Sequence, residues 1–199
     1  MFLLHQPSPD DADRFIAAFR ELPLSYDPIG LAKEGRGGFN LDEQTAIIGR
    51  GPAAFARATT ALAEWRHFEL GWVELFPRRA SIAPGTVVAV SARHLGFWSL
   101  NGCRVVYSIG SRADQTFGFA YGTLANHVEC GEEIFQVNFS PETGEVSYLI
   151  RAASKPRAAL ARVGYPLARV LQARFRRDSA RALRRAIDGN PLGHSHPSA

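Results

Sequence analysis

Residues 117–139 read FGFAYGTLANHVECGEEIFQVNF and contain two runs in which large apolar side chains occupy every second position. The first run extends from Phe117 to Tyr121, and the second extends from Phe135 to Phe139. A period of two is typical of a strand that buries one face, so this stretch predicts two strands of one sheet. The connector between them, LANHVECGEE, is too long for a two-residue hairpin and carries a histidine, a cysteine and three glutamates.

Length and composition predict one folded domain. The chain has 199 residues, of which 46% are hydrophobic, and these values are ordinary for a protein with one sizeable core. We expect the domain to span residues 1–188 and residues 189–199 to form a flexible tail. At the N-terminus only Phe2, Leu3 and Leu4 are apolar, which is too few for a signal peptide, and no run is long enough to cross a membrane. The sequence therefore predicts a soluble, cytoplasmic protein.

The alternating pattern continues on both sides of this stretch. Short turn-like segments, among them Asn101-Gly102, separate the apolar runs, which favours antiparallel neighbours. We expect Cys103, Val105, Tyr107 and Ile109 to share the buried face of their strand. The predicted strands are residues 44–49, 72–76, 86–92, 97–100, 103–109, 116–123, 132–139 and 145–152.

Two shorter helices are predicted in the N-terminal part of the chain. Ser8 is placed to cap a helix over residues 9–20, which has proline at its first position. A second helix is predicted over residues 51–65, because apolar side chains recur there at spacings of three and four residues. Residues 22–40 contain two prolines and four glycines, so we expect irregular structure there.

The longest helix is predicted over residues 154–188, with one apolar side and an arginine-rich remainder. A kink is expected at Gly164-Tyr165-Pro166, because proline removes a backbone donor and clashes with the preceding turn. Residues 151–188 hold 11 basic and 2 acidic side chains, whereas residues 1–150 hold 12 basic and 17 acidic ones. The net charge of +4 therefore comes from this helix and not from the rest of the domain.

The order of these elements and several motifs resemble known proteins. A set of antiparallel strands followed by a long amphipathic helix is similar to the helix-grip fold of START and Bet v 1 proteins, in which a curved sheet wraps a C-terminal helix and leaves an apolar cavity. The motifs SYDPIG (residues 25–30), FGFAYGTLANHVECGEE (residues 117–133) and Ser154-Lys155-Pro156, the last followed by Tyr165-Pro166 and Gln172, resemble the DUF1990, or UPF0548, family. This resemblance covers residues 25–183 and implies an α+β helix-grip fold, without an established activity.

The polar connector supplies the catalytic candidates His127, Glu133 and Tyr121. Glu133 is in phase with the apolar face, where burial would raise its pKa and make it an acid or base; at a wet rim it would be a structural carboxylate. His127 and Glu129 are two residues apart near Tyr121, so they could transfer a proton or contribute to a metal site. Alternatively, His127 fixes the loop through a backbone hydrogen bond. We predict no metal site, and we expect Glu132 to face solvent.

The two cysteines are expected to be reduced thiols. Cys103 and Cys130 lack the spacing of a metal-binding pair. Cys103 fits a small buried residue. Cys130 lies close to His127 in sequence, but nothing supplies an oxyanion hole or a third catalytic member, so we do not predict a thiol nucleophile. No cofactor is predicted.

Aromatic residues on the predicted strands are the candidates for a cavity lining. Aromatic side chains in phase are also what a solid core contains. The tyrosines favour a cavity, because each buried hydroxyl needs a partner that a polar ligand group or a water can supply. The predicted ligand-binding residues are Trp98, Tyr107, Phe119, Tyr121, Phe135 and Tyr148.

The basic helix could also contact anionic lipid or nucleic acid. Such contact would be weak, would depend on salt and would involve Arg174, Arg177, Arg181 and Arg184. Alternatively, the arginines form a solvated face or pair with carboxylates of the domain. The arginines in question are Arg157, Arg162, Arg169, Arg174, Arg176, Arg177, Arg181, Arg184 and Arg185.

The sequence thus predicts a protein that binds a small or medium hydrophobic, lipid-like molecule between its sheet and its C-terminal helix. Two alternatives stay open. The first is a hydrolytic or proton-transfer enzyme that uses His127, Glu133 and Tyr121. The second is a module that docks through its basic helix.

Overall fold

A computed structural model of the chain describes residues 1–35, 37–94, 96–127, 129–156 and 165–189. This part of the chain contains eight strands, four α-helices and one turn of 3-10 helix, Arg66–Phe68. The strands are β1 (Phe2–Leu3), β2 (Asn40–Arg50), β3 (Val73–Phe76), β4 (Val87–His94), β5 (Phe97–Ser111), β6 (Thr116–Thr123), β7 (Glu129–Phe139) and β8 (Glu145–Pro156). The helices are α1 (Pro9–Phe19), α2 (Leu31–Glu34), α3 (Pro52–Ala63) and α4 (Tyr165–Asp188).

All eight strands belong to one antiparallel sheet in the order β2-β8-β7-β6-β5-β4-β3, with β1 paired to β5. One face of the sheet, called here the inner face, carries Phe119, Phe135 and Tyr148 and packs against α3, the 3-10 helix and α4. The opposite, outer face packs against α1 and against the segment that contains α2. A curved sheet that holds a C-terminal helix is the helix-grip arrangement, so the predicted α+β helix-grip fold is confirmed.

Helix α1 begins at its predicted cap, and α3 begins at Pro52 within its predicted range. At the start of α1, the Ser8 hydroxyl accepts a hydrogen bond from the Asp11 N–H at 3.1 Å, and the Asp11 carboxylate accepts one from the Ser8 N–H at 2.9 Å. Helix α3 ends at Ala63, two residues before the predicted end. Trp65 lies outside the helix, and its φ of 60° is in the left-handed region.

Aromatic rings from the segment after α3 fill the middle of the inner face. Trp65 packs edge-on against Phe119 with ring centroids 4.6 Å apart, and the His67 ring lies 4.8 Å from that of Phe135. Phe119, Phe135 and His67 are each 0% exposed. Burial lowers the pKa of His67 to about 3, so its imidazole is neutral at physiological pH. This part of the inner face is therefore a solid core.

Strand β5 runs without a break through Asn101 and Gly102, where a turn was predicted. Both residues pair with β4 in a continuous ladder, so two predicted strands are one element. The glycine serves packing and not a turn, because a Cβ at this position would lie 3.0 Å from Leu124 Cδ1. An Asn-Gly pair is a hairpin signal only where the chain reverses.

A β-bulge at Val106 changes the face to which the second half of β5 points. The register with β6 shifts between Val105 and Tyr107. Val105 consequently belongs to the inner core, whereas Tyr107 packs on the outer face. The prediction that Cys103, Val105, Tyr107 and Ile109 share one face is therefore wrong at Tyr107 and Ile109, because one inserted residue reverses the alternation.

Strand β8 continues to Pro156, so the prediction that a helix starts at Ser154 is wrong. Ser154 pairs with Asn40 of β2, and Lys155 pairs with Cys130 of β7. Proline is accepted at the last position of a strand, where its missing N–H interrupts no further ladder bond. The sheet is thus longer at this end than the sequence suggests.

Some predictions concern residues outside the described ranges. These are Arg157, Arg162, Gly164 and the tail from residue 190. Helix α4 begins in the described part at Tyr165, with Pro166 in its first turn, where a missing N–H breaks no helical hydrogen bond. The kink expected at Gly164-Tyr165-Pro166 therefore falls at the edge of the described helix.

Glu132 is buried on the outer face, and the prediction that it faces solvent is wrong. It is 2% exposed because the segment containing α2 covers it. Its carboxylate accepts hydrogen bonds from the hydroxyls of Tyr26 and Tyr107, both at 2.7 Å, and from the N–H groups of Gly30 at 2.9 Å and Ala32 at 3.1 Å. Four donors on one carboxylate hold this otherwise irregular segment against the sheet.

The motifs that carry the sequence resemblance meet on the outer face. The Tyr26 ring lies over Gly122, and a Cβ at position 122 would come within 2.7 Å of Tyr26 Cε1. Next to it, the Ser25 and Thr123 hydroxyls share a hydrogen bond of 2.5 Å. SYDPIG, the Tyr-Gly-Thr end of β6 and the Gly-Glu-Glu start of β7 thus form one packed unit.

We expect Glu132→Gln to destabilise the fold by roughly 2–4 kcal/mol, because the new amide NH2 group faces donors and leaves a backbone N–H without an acceptor. Urea unfolding followed by circular dichroism measures this change. The exposed Glu142→Gln serves as the control and should stay within about 0.5 kcal/mol of the parent. A Glu132→Gln protein as stable as this control would contradict the role assigned to the carboxylate.

Candidate functional site

A cavity of about 360 Å³ lies between the inner face of the sheet and α4. It occupies the end of the sheet where β6 stops and β7 begins, whereas α3 covers the opposite end. The lining residues are Phe68, Trp72, Val73, Val90, Ala92, His94, Phe97, Ser99, Asn101, Tyr121, Thr123, His127, Glu129, Gly131, Glu132, Glu133, Ala152, Ser154, Leu171, Gln172, Phe175 and Arg176.

The apolar part of the lining comes from three directions. Phe68 and Trp72 belong to the segment that follows α3, Phe97 belongs to β5, and Leu171 and Phe175 lie one turn apart on α4. The four-residue spacing on the helix places the last two side chains on the same side, toward the sheet. Together they form an apolar and largely aromatic wall.

Alternation along β7 directs two carboxylates into the cavity. Glu129, Gly131 and Glu133 line it, whereas the Cys130 thiol and the Glu132 carboxylate bond to groups on the outer face. Gly131 lies between the two inward glutamates, and a Cβ at this position would collide with the Ala153 carbonyl oxygen of β8. The phase argument from sequence therefore placed Glu133 on the inner face as the structure has it.

Glu133 and Tyr121 form a hydrogen-bonded pair on the cavity wall. They stand opposite each other in the β6–β7 ladder, and the Tyr121 hydroxyl donates to Glu133 Oε2 at 2.9 Å. Burial raises the pKa of Glu133 to about 7, although the Tyr121 hydrogen bond and the guanidinium of Arg176 act in the opposite direction. Glu133 therefore exchanges a proton near neutral pH, as a general acid or base must.

His127 and Glu129 are joined through the backbone and not through their side chains. His127 Nδ1 accepts a hydrogen bond from the Glu129 N–H at 2.9 Å, and burial lowers the pKa of the imidazole to about 4. The Glu129 carboxylate instead accepts from Gln172 Nε2 of α4, at 3.0 Å to Oε1 and 2.9 Å to Oε2. Burial raises the pKa of Glu129, and the Gln172 hydrogen bond opposes that shift. His127 thus fixes the loop, and Glu129 ties the sheet to the helix.

Asp42 of β2 holds the first half of α4. Arg169 forms a two-point ion pair with it, one branch of which measures 2.7 Å, and Arg176 lies 3.8 Å from the same carboxylate. The Arg169 hydrogen bond is the main cause that keeps the pKa of Asp42 below its ordinary value. The Arg176 guanidinium therefore has a fixed position at the border of the cavity.

A second polar group lies on the wall formed by β4 and β5. His94 Nε2 and the Ser99 hydroxyl are 2.8 Å apart, and Asn101 Nδ2 donates to the same hydroxyl at 3.1 Å. Burial lowers the pKa of His94. Sequence reasoning did not single out these three residues. The available signal was the spacing of two between Ser99 and Asn101 along β5 and their polar character on an apolar strand.

The six aromatic residues predicted to bind a ligand lie in three different places. Tyr121 lines the cavity. Phe119, Phe135 and Tyr148 belong to the adjoining core, where the Tyr148 hydroxyl and Ser179 Oγ are 3.0 Å apart. The remaining two, Tyr107 and Trp98, lie on the outer face, the former because of the bulge and the latter because it alternates with the cavity-lining residues of β5.

Neither cysteine has a catalytic environment in the structure. Cys103 is 1% exposed in the inner core, and burial raises the pKa of its thiol. Cys130 points to the outer face, where its thiol donates to the Ser25 carbonyl at 3.1 Å. Within the described ranges, no group of three or more His, Cys, Asp or Glu side chains is placed to hold a metal ion.

The arginines on the exposed side of α4 have partners within the protein. Asp178 accepts ion pairs from Arg174 at 3.3 Å, Arg177 at 3.4 Å and Arg181 at 3.5 Å. Arg184 donates to the Ile47 carbonyl at the edge of the sheet. In the described part of the chain, no helix has the length and apolar character needed to cross a membrane.

Comparison with known proteins agrees with this architecture. A family model described as "Domain of unknown function (DUF1990)" matches residues 25–182. A UPF0548 protein of Dictyostelium discoideum is 31% identical over 210 aligned positions, which cover 96% of this chain and 97% of the relative. A UPF0548 protein of Deinococcus radiodurans is 32% identical and covers 94% and 98%. The crystal structure of TTHA0849 from Thermus thermophilus aligns with a TM-score of 0.53 at 12% identity, over 75% of this chain and 98% of that protein.

Glu133→Gln should change the pH dependence of stability. The folded protein keeps a proton on Glu133 up to pH 7, whereas the unfolded chain releases it near pH 4.5, so stability falls as the pH rises through this window. The wild type should lose up to about 3 kcal/mol relative to Glu133→Gln between pH 4.5 and pH 8. Urea unfolding of both proteins at the two pH values measures the difference.

The exposed Glu64→Gln is the matched control for this measurement and should show no such trend. If the stability difference between wild type and Glu133→Gln is the same at both pH values, the raised pKa of Glu133 is refuted.

Proposed function

This chain belongs to the DUF1990 family, and on that premise we propose that it binds a small or medium hydrophobic, lipid-like molecule in the cavity between its sheet and α4. The observation that carries the proposal is the cavity itself, about 360 Å³ of space beside a core that is otherwise filled. We further propose a single domain over residues 1–188 and a cytoplasmic location.

The size and the lining of the cavity support a small organic ligand. Pockets for such molecules range from about 300 to 1,000 Å³ and combine apolar walls with a few polar groups. Here Phe68, Phe97 and Phe175 supply the apolar surface, and the Glu133–Tyr121 pair supplies a polar contact. An empty apolar space forfeits dispersion contacts, so a bound molecule would stabilise the fold.

Catalysis on the bound molecule is the second candidate function. It is favoured by one observation, the pKa of about 7 at Glu133, which allows proton transfer to or from a ligand at neutral pH. In this proposal Glu133 is the acid or base and Tyr121 positions it. His127 has a lesser part, because its Nδ1 accepts from the Glu129 backbone.

Docking of α4 on an anionic surface has less support than ligand binding or catalysis. Three of the four arginines proposed for it, Arg174, Arg177 and Arg181, converge on Asp178. Their charge is therefore partly offset within the helix.

Ala92→Phe is expected to block ligand binding by filling the cavity. Ala92 lines the cavity, and a phenyl ring at this position takes space that a ligand needs. The affinity for the neutral fluorescent probe N-phenyl-1-naphthylamine should fall at least about ten-fold, and the hydrophobic adduct expected in native mass spectra of the purified wild type should disappear.

Val170→Phe is the matched control, because Val170 is 64% exposed on α4 and faces away from the cavity lining. It should retain the probe affinity and the adduct, and circular dichroism verifies that both variants fold. If Ala92→Phe and Val170→Phe bind the probe with equal affinity, the proposal that the cavity is the binding site is contradicted.

A further inference from the structure

The polar end of the cavity, formed by Tyr121, Glu129, Glu133, Gln172 and Arg176, contains two carboxylates that accept hydrogen bonds. The Tyr121 hydroxyl already donates to Glu133 at 2.9 Å, and Gln172 Nε2 donates to both oxygens of Glu129 at 3.0 and 2.9 Å. Each carboxylate oxygen can accept two hydrogen bonds, so both glutamates keep accepting capacity. The polar end of the cavity therefore suits a ligand group that donates hydrogen bonds.

Asn101 adds an unpaired acceptor on a different wall. It lies on the inner face of β5, lines the cavity and is 8% exposed. Its Nδ2 donates to Ser99 Oγ at 3.1 Å, whereas its Oδ1 has no hydrogen-bond partner among the described residues. A buried acceptor of this kind costs free energy until a donor reaches it. This acceptor is a polar feature of the wall that is separate from the two carboxylates.

The charges around the polar end also favour a cation. Three carboxylates, those of Asp42, Glu129 and Glu133, stand against the two guanidiniums of Arg169 and Arg176. Both guanidiniums pair with Asp42, whereas the side-chain hydrogen bonds to Glu129 and Glu133 come from the neutral groups of Gln172 and Tyr121. Above pH 7, where Glu133 is ionised, one added positive charge balances this group, whereas an anion would increase its negative excess.

The other lining residues fit a cation as well. His94 and His127 do not supply the missing charge, because burial lowers the pKa of both imidazoles. The rings of Phe68, Phe97 and Phe175 present surfaces that accept apolar groups and attract cations through their negative faces. An aliphatic or aromatic ligand body can therefore lie beside the polar end without a polar group of its own.

We propose that this cavity takes a hydrophobic amine in its protonated form, with its N–H groups donated to the Glu133 carboxylate and its apolar part against Phe68, Phe97 and Phe175. The inference rests on the proposed ligand-binding function and names the ligand class. Tyr121 holds the Glu133 carboxylate in position, and Glu129 adds to the negative field. The Ser154 hydroxyl, also in the lining, can bind a further hydroxyl or carbonyl of the same molecule.

Three probes with the same ring system and different polar groups test this proposal. They are 2-(1-naphthyl)ethylamine, 2-(1-naphthyl)ethanol and 1-naphthylacetate, titrated at pH 8 by isothermal calorimetry. We expect the amine to bind at least ten-fold more tightly than the alcohol and the carboxylate to bind most weakly. Glu133→Gln should weaken the amine at least ten-fold and leave the alcohol within about three-fold, which removes the preference.

Glu142→Gln, an exposed change of the same kind, should leave all three affinities unchanged. An amine preference that persists in Glu133→Gln, or amine binding that persists in Ala92→Phe, overturns the assignment to this site. If the alcohol or the carboxylate binds wild-type protein as tightly as the amine, the amine inference fails while the cavity function stands. If none of the three probes and no N-phenyl-1-naphthylamine binds, the cavity function fails too.

Discussion

The alternation of side chains along β7 is the constraint on which the rest of the structure depends. Within five residues it sends Glu129 and Glu133 to the inner face and Glu132 to the outer face. The outward carboxylate is satisfied by four protein donors and holds the N-terminal segment in place. The inward ones accept hydrogen bonds from Tyr121 and Gln172 and border a cavity. One strand thus gives the same chemical group a structural role on one side and, in the function proposed above, a binding role on the other.

The inner face is divided between a packed core and a cavity. Toward the end covered by α3, Trp65 and His67 fill the space against the sheet, and the aromatic residues there are fully buried. Toward the other end, the strands extend past this core, and α4 approaches them through Leu171 and Phe175 without filling the gap. The helix-grip arrangement therefore produces a cavity because the aromatic segment after α3 is too short to cover the whole sheet.

Much of the fold was predictable from the sequence, because period-two patterns and caps are local signals. The location of the site was only partly predictable. Glu133 and Tyr121 were found through the phase of their strands, but Tyr107 was misplaced by a single inserted residue that leaves no mark in the hydrophobic pattern. Phe68 and Trp72 were missed, because no local pattern shows that their segment folds back over the sheet. Such long-range packing decides which aromatic residues form the core and which line the cavity.

Helix α4 is held in two different ways along its length. Its C-terminal half is anchored by Leu183 and Ile187, which are 0% and 3% exposed. Its N-terminal half is held beside the cavity by polar contacts to Asp42 and Glu129 and by the partly buried Leu171 and Phe175. Separation of the C-terminal half would expose fully buried apolar surface, whereas separation of the N-terminal half would expose less. We therefore expect a molecule to enter and leave by local opening of the N-terminal half, with the anchored half as the pivot.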